Sequence, residues 1–120
     1  NRDDRDDRYG WHKDSDPEYN HPLTEKNFIV PLTNARDTAS VYIESAEDSD
    51  QFYPAIMNEG EVFNFSGATC RHGNKKNTTG KCRVSFDFRV MLLEDYDESY
   101  HKNSKLSTKK FTIGEYYDKI

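Results

Sequence analysis

Apolar sequence, cysteine and net positive charge are all in short supply in this chain, and each shortage removes a class of protein. Only 33% of the 120 residues are hydrophobic, which is low for a globular domain. No apolar run approaches the ~18 residues that a membrane-spanning helix requires, so no membrane partner is expected. The formal charge is −5 and the pI is near 5.3. Without a basic face, no nucleic-acid partner is expected either. The two cysteines, Cys70 and Cys82, bracket residues 71–81. They could meet across a hairpin as a disulfide. No signal-peptide pattern accompanies them, and the favoured reading is two free thiols in a reducing cytoplasm. A convincing helical period is missing as well.

Aromatic residues are plentiful by contrast. One Trp, eight Tyr and seven Phe argue against a disordered chain. They fall in strand-like segments and can supply a thin core. The length allows one domain. Residues 1–8 are a mixed-charge run and read as a solvated end. Residues 9–93 hold a series of short strands, expected over 9–14, 27–32, 39–45, 52–57, 61–65, 68–72 and 83–93. Turns rich in Pro, Gly, Asn and Asp separate them. Residues 94–120 form a polar C-terminal extension for which three roles stay open: a dimer arm, making the chain a homo-oligomer, a packing segment, or a loose tail. The expected fold class is all-β, an antiparallel sandwich or jelly roll.

The segment 83–90 alternates cleanly. Val84, Phe86, Phe88 and Val90 lie on one side of a strand, and Arg83, Ser85, Asp87 and Arg89 on the other. Alternation alone favours the Val/Phe side as core and the polar side as solvated. If Arg83 and Ser85 instead point at a ligand, the apolar side must face outward.

Five residues carry a possible chemistry. His12 and Asp14 form H-x-D, which puts both side chains on one side of a strand, about 7 Å apart. His72 follows, and then Arg83 and Ser85 as R-x-S. Two imidazoles and one carboxylate can hold Fe(II) on one face and leave the opposite face open. Zn²⁺ accepts the same set. The planar fork of Arg matches a carboxylate bidentately, and Ser adds a hydroxyl donor. Arg at +11 and Ser at +13 from a given His arise by chance about once in a hundred trials. Each member also has a plain reading: a surface His, a structural His, or an Arg83 paired with Asp87 on the sheet surface. His21 and Asp16 are alternative ligands.

Several stretches together resemble the Fe(II)/2-oxoglutarate-dependent oxygenases and their double-stranded β-helix (jelly-roll, cupin-like) core. They are His12-Lys13-Asp14, Asn27-Phe28-Ile29-Val30-Pro31-Leu32, Val41-Tyr42-Ile43-Glu44-Ser45, Gly60-Glu61-Val62-Phe63-Asn64-Phe65, Arg71-His72-Gly73 and Arg83-Val84-Ser85-Phe86-Asp87-Phe88-Arg89. The same phrasing resembles a narrower group of small oxygenase-like proteins, some of which carry the name of a streptomycin-biosynthesis protein. The resemblance implies that His12, Asp14 and His72 ligate Fe(II). It implies that Arg83, helped by Ser85, binds the C5 carboxylate of 2-oxoglutarate, whose keto-acid end chelates the metal, and that O2 takes the last position. Asn27 is a further candidate for the co-substrate. Tyr42, Glu44 and Arg89 are candidates to line a barrel that takes a small-molecule substrate. That family usually has helices before H-x-D. This chain does not open with Met and begins close to H-x-D, so a longer protein with N-terminal helices is expected. Two readings from other classes stand beside the oxygenase: a cupin-like small-molecule or sugar-binding domain or isomerase, and a metal-free interaction module.

Overall fold

The computed structural model describes residues 10–100, 102–107 and 109–120. The charged end expected over 1–8 lies outside them, as does the first residue of the strand expected over 9–14. Six strands follow in chain order: β1 Lys26–Pro31, β2 Val41–Glu44, β3 Phe52–Pro54, β4 Phe63–Phe65, β5 His72–Asn74 and β6 Ser85–Val90. They form two three-stranded antiparallel sheets, ordered β4-β1-β6 and β3-β2-β5. Apart from single 3-10 turns at Asp37–Ala39 and Leu93–Asp95, no helix occurs among the described residues. The fold is all-β and compatible with a β-sandwich.

The core joins the two sheets. Ile29 of β1 and Ile43 of β2 are buried in one cluster with Ala35, Ala55 and Met57, and Val41, Phe63, Phe65 and Cys70 pack around it. A buried aliphatic side chain of this size contributes about 1.5–3 kcal/mol, so a core this small leaves stability dependent on few residues. β1 shows why its sequence makes a central strand. Asn27, Ile29 and Pro31 are buried while the residues between them are not, the period-two pattern of a strand with one covered face. Pro31 has no N–H, and it sits at the last position of the strand, opposite Ser85.

The strand expected over 9–14 is reduced to one bridge. His12 pairs with His72 through two backbone hydrogen bonds of 3.1 and 3.0 Å, which adds a single residue to the open edge of β5. The faces of β6 are the reverse of what alternation alone favours. Its register against β1 sets Phe88 beside Phe28 and Phe86 beside Val30. The Phe28 and Phe88 rings stack at 5.3 Å, yet they lie on the outer face. Val84 is 50%, Phe86 52% and Phe88 43% exposed. The polar side turns inward because Arg89 meets buried carboxylates there.

Residues beyond β6 fold back over the loop 15–26. Phe111 is buried against the His21 ring at 4.5 Å. Tyr100 donates its hydroxyl hydrogen to the Asn20 carbonyl at 2.5 Å, and Lys105 donates its backbone N–H to the Glu18 carbonyl at 3.0 Å. These contacts pack the C-terminal stretch against that loop.

Candidate metal centre

His12, Asp14 and His72 come together, and the backbone explains how. In an antiparallel bridge the paired residues project from the same side, so the His12 and His72 rings lie 4.9 Å apart. His72 also pairs with Ile43 across β2 and β5. Ile43 is a core residue, so this side faces the space between the sheets. Asp14, two positions past His12, is drawn in by its backbone N–H donating to the Gly67 carbonyl at 2.7 Å. Two glycines allow the approach. A Cβ on Gly67 would sit 2.8 Å from Asp14 Oδ2 and 2.7 Å from Asn27 Nδ2, and one on Gly73 would sit 2.0 Å from the Trp11 ring.

The hydrogen bonds decide what these rings present. His12 Nδ1 lies 3.1 Å from the Gly10 carbonyl, and His72 Nδ1 lies 3.0 Å from the Cys70 carbonyl. A carbonyl oxygen only accepts, so each Nδ1 carries the hydrogen, and each neutral ring presents a bare Nε2. Both Nε2 atoms face the same carboxylate oxygen: Asp14 Oδ1 is 3.4 Å from His12 and 3.3 Å from His72. One ligand atom from each residue lies within 4.8 Å of the others. With bonds of ~2.1 Å, two donors on one metal are separated by ~3.0 Å at a right angle and ~3.4 Å at a tetrahedral one. The two Nε2–Oδ1 separations match that spacing, and a cation, added protons or a hydrogen-bond donor from solvent would satisfy the three acceptors.

Asp14 is 3% exposed. Burial pushes its pKa up, but hydrogen bonds from His12 and His72, which the rings make once Nε2 is protonated, and from Asn27 outweigh that and hold it well below the usual carboxylate range. The hydrogen bond to Asp14 raises the His12 pKa against the opposing effect of burial. The Phe65 ring stands edge-on to His72 at 5.2 Å, and Tyr19 lies 4.4 Å from the His12 ring. The side chain of His12 is 31% exposed and that of Asp14 4%, so the cluster opens toward solvent on the His12 side.

Asn27 stands behind the cluster. Its Nδ2 donates to Asp14 Oδ2 at 2.9 Å, and its Oδ1 accepts the Gly67 N–H at 3.1 Å. Arg89 stands there too, donating from Nη2 to Asp14 Oδ2 at 3.2 Å. Arg83 donates from Nη2 to Asn74 Oδ1 at 3.2 Å. Asn74 and His72 are alternate residues of β5, so their side chains share a side, about 7 Å apart. Arg83 Nη1 is buried with no hydrogen-bond partner among the described residues, and burial pushes the guanidinium pKa down. Asp87, the surface partner weighed for Arg83, lies 3.7 Å from Arg89 Nη1 instead. Ser85 is half-buried at the Arg83 end of β6.

The remaining candidates sit apart. Glu44 is buried and bound by Arg71, 3.0 Å from Nη2 and 3.2 Å from the backbone N–H, and by the Asp50 N–H at 2.9 Å. Tyr42 stacks on Trp11 at 5.9 Å, with the Lys75 ammonium 4.5 Å from its ring. Alternation along β2 puts Tyr42 on the side opposite the core residue Ile43. His21 bonds Glu25 at 2.7 Å, and Asp16 accepts the Lys13 backbone N–H at 3.0 Å; neither joins the cluster. Sequence reading missed Glu25, an acid 1% exposed, because a lone Glu between loop and strand gives no pattern. It missed Gly67 as well, whose only signal is that it follows Ser66 in a turn.

The chain is similar to the streptomycin biosynthesis protein StrG of Streptomyces griseus, 34% identical over 110 residues. The similarity covers 92% of this chain and 50% of that protein, so the chain spans about half the length of the curated relative it matches. No family model matches the chain. No solved structure matches it.

Proposed function

We propose that this chain is an Fe(II)- and 2-oxoglutarate-dependent oxygenase of the hydroxylase type, built on a double-stranded β-helix and acting on a small molecule. The observation that carries the proposal is the convergence of His12 Nε2, His72 Nε2 and Asp14 Oδ1 with both Nδ1 atoms tied to carbonyls. Imidazole nitrogen and carboxylate oxygen suit Fe(II), and the absence of sulfur from the set argues against copper(I). When bound, Fe(II) supplies the activation of O2 coupled to oxidative decarboxylation of 2-oxoglutarate.

The protein's part is orientation. The Gly10 and Cys70 carbonyls fix the two rings in one tautomer, and Asn27 and Arg89 fix the carboxylate. The unpartnered Nη1 of Arg83 is the anchor for the far carboxylate of the co-substrate, with Ser85 as its neighbour. A dicarboxylate held there would extend along β5 toward His72, and the Phe65 ring would keep water from one flank. O2 and substrate would enter beside His12 and Tyr19.

The Streptomyces relative is named for the biosynthesis of streptomycin, which supports a small-molecule substrate. No helix among the described residues is long and apolar enough to cross a membrane. The unpaired thiols of Cys70 and Cys82 support a cytoplasmic setting. The test is turnover. The chain reconstituted with Fe(II) should convert 2-oxoglutarate to succinate in air, and His72→Ala should abolish it. Metal binding without succinate would favour the cupin-like reading, and no metal binding the interaction module.

A further inference from the structure

Asp14 has two carboxylate oxygens, and only one faces the histidines. Oδ2 is taken from behind by Asn27 Nδ2 at 2.9 Å and Arg89 Nη2 at 3.2 Å. Arg89 is itself held. Its Nε lies 3.2 Å from Glu25 Oε1, an ion-pair contact without hydrogen-bond alignment. Glu25 is buried and shared with His21 Nδ1 at 2.7 Å and with the hydroxyl of Tyr117, which makes a very short hydrogen bond to Oε2. One guanidinium therefore spans two buried carboxylates. One of them belongs to the histidine cluster, and the other anchors the C-terminal segment.

We infer that Arg89 is a positioning residue for the metal centre, and that Glu25 and Tyr117 make the C-terminal segment part of that centre's support. The inference rests on the metal-site reading above. With Oδ2 bound by two donors, the carboxylate cannot rotate to offer both oxygens to a metal. It binds through Oδ1 alone, and more of the metal's positions stay open for other ligands. Arg89 also offsets the charge of Asp14, so the anion stays buried and aimed before any metal arrives. Groups behind a first ligand typically alter metal affinity by about 10–100-fold. A Lys at this position would keep the charge but lose the fork that reaches both acids.

Co(II) is a suitable probe, because its visible absorption reports coordination number without turnover. The full chain would be titrated with Co(II) as wild type, Arg89→Lys, Arg89→Met and Tyr117→Phe, with circular dichroism to check the fold. Arg36→Lys serves as a control at a guanidinium that donates to the Ala35 and Met57 carbonyls and touches no member of the cluster. The expected result is wild-type binding, a 10–100-fold weaker affinity with an altered Co(II) spectrum in both Arg89 variants, and a several-fold loss in Tyr117→Phe. Arg36→Lys should match wild type. Should Arg89→Met not fold, Arg89→Lys and Tyr117→Phe give the same reading with charge or ring retained. Wild-type affinity and spectrum in the folded Arg89 variants would overturn the inference while leaving the metal site standing. No Co(II) binding by wild type would remove the metal site and this inference with it.

Discussion

Replacing Asp14 with Asn separates a metal site from a structural ion pair. Asn keeps the shape. Its carbonyl oxygen can accept from Asn27 and Arg89, as Oδ2 does now, and its NH2 can donate to the two bare Nε2 atoms that Oδ1 now faces. In a metal-free chain at pH 8 every hydrogen bond is retained and one convergence of acceptors is relieved. The expected change in stability is within ~1 kcal/mol. If the carboxylate is instead the indispensable half of a buried ion pair, its removal should cost about 3–5 kcal/mol. Metal makes the contrast larger. At a hundred times Kd, a ligand bound only by the folded chain adds about 2.7 kcal/mol, and for a domain of this size that raises Tm by roughly 10 °C. Wild type should show this shift with Fe(II) under anaerobic conditions, or with Co(II), and Asp14→Asn should show none. Thermal melts of both proteins with and without metal provide the assay. A variant several kcal/mol less stable, together with no metal shift in wild type, would refute the reasoning.

Asp14 and His12 give the metal-free chain opposite pH limbs. Asp14 titrates below its ordinary value in the folded chain, so its contribution is present above the unfolded pKa of ~3.9 and is lost as the pH falls through the folded value. His12 titrates above its ordinary value. Its contribution is full below the unfolded pKa of ~6.5 and is lost as the pH rises through the folded value. Metal-free wild type should therefore be most stable between about pH 4 and 6.5, and Asp14→Asn should lack both limbs. Protons compete with metal for the rings, so the metal-induced shift should be larger at pH 8 than at pH 6.

Arg83→Met should weaken 2-oxoglutarate binding by about 10–100-fold, as loss of charged hydrogen bonds worth ~1.5–3 kcal/mol requires; calorimetric titration of the metal-loaded chain checks it, and Co(II) affinity should not change. Ile43→Ala should cost about 2–5 kcal/mol, whereas Phe86→Ser on the outer face should stay within ~1 kcal/mol of wild type, both read from urea denaturation. Arg71→Met strands the buried Glu44 and should cost about 3–5 kcal/mol. With Arg71 present, burial raises the Glu44 pKa, but the guanidinium and two backbone N–H groups outweigh it and hold the carboxyl at about 2. Its contribution is then present above ~4.5 and lost as pH falls toward 2, which acid titration of wild type against Glu44→Gln would show.

Much of this was legible in the chain. Strands announced themselves wherever β-branched and aromatic residues alternated between turns, as in Asn27-Phe28-Ile29-Val30 and Ser85-Phe86-Asp87-Phe88. H-x-D and the distant His72 could be proposed as ligands from residue type and spacing, but the strand expected to align His12 with Asp14 is a single bridge at His12, and it is the Gly67 carbonyl that draws Asp14 in. What stayed illegible was partner choice. Glu44 and Arg89 are both polar residues on strands, and nothing in the sequence says that Glu44 is bound by Arg71 while Arg89 reaches Asp14 and Glu25. Those pairings cross from 27 to 75 positions and arise only when the sheets pack. The roles of Gly67 and Gly73 were hidden for the same reason, since a missing Cβ has meaning only against the atom that approaches it.

The orientation of β6 shows how the site shapes the fold. A slip of one residue against β1 would turn Val84, Phe86, Phe88 and Val90 inward. These four are between 38% and 52% exposed, so covering them would recover roughly half of the ~1.5–3 kcal/mol that full burial of each supplies, about 3–6 kcal/mol together. The slip would also carry Arg89 to the outer face. Asp14 and Glu25, at 3% and 1% exposure, would lose the guanidinium between them, and breaking a buried pair costs about 3–5 kcal/mol for each ion left behind. The charge term is the larger. The apolar outer face of this strand is thus a consequence of the carboxylates inside. Arg89 sets the register that period-two hydrophobicity, taken alone, would reverse.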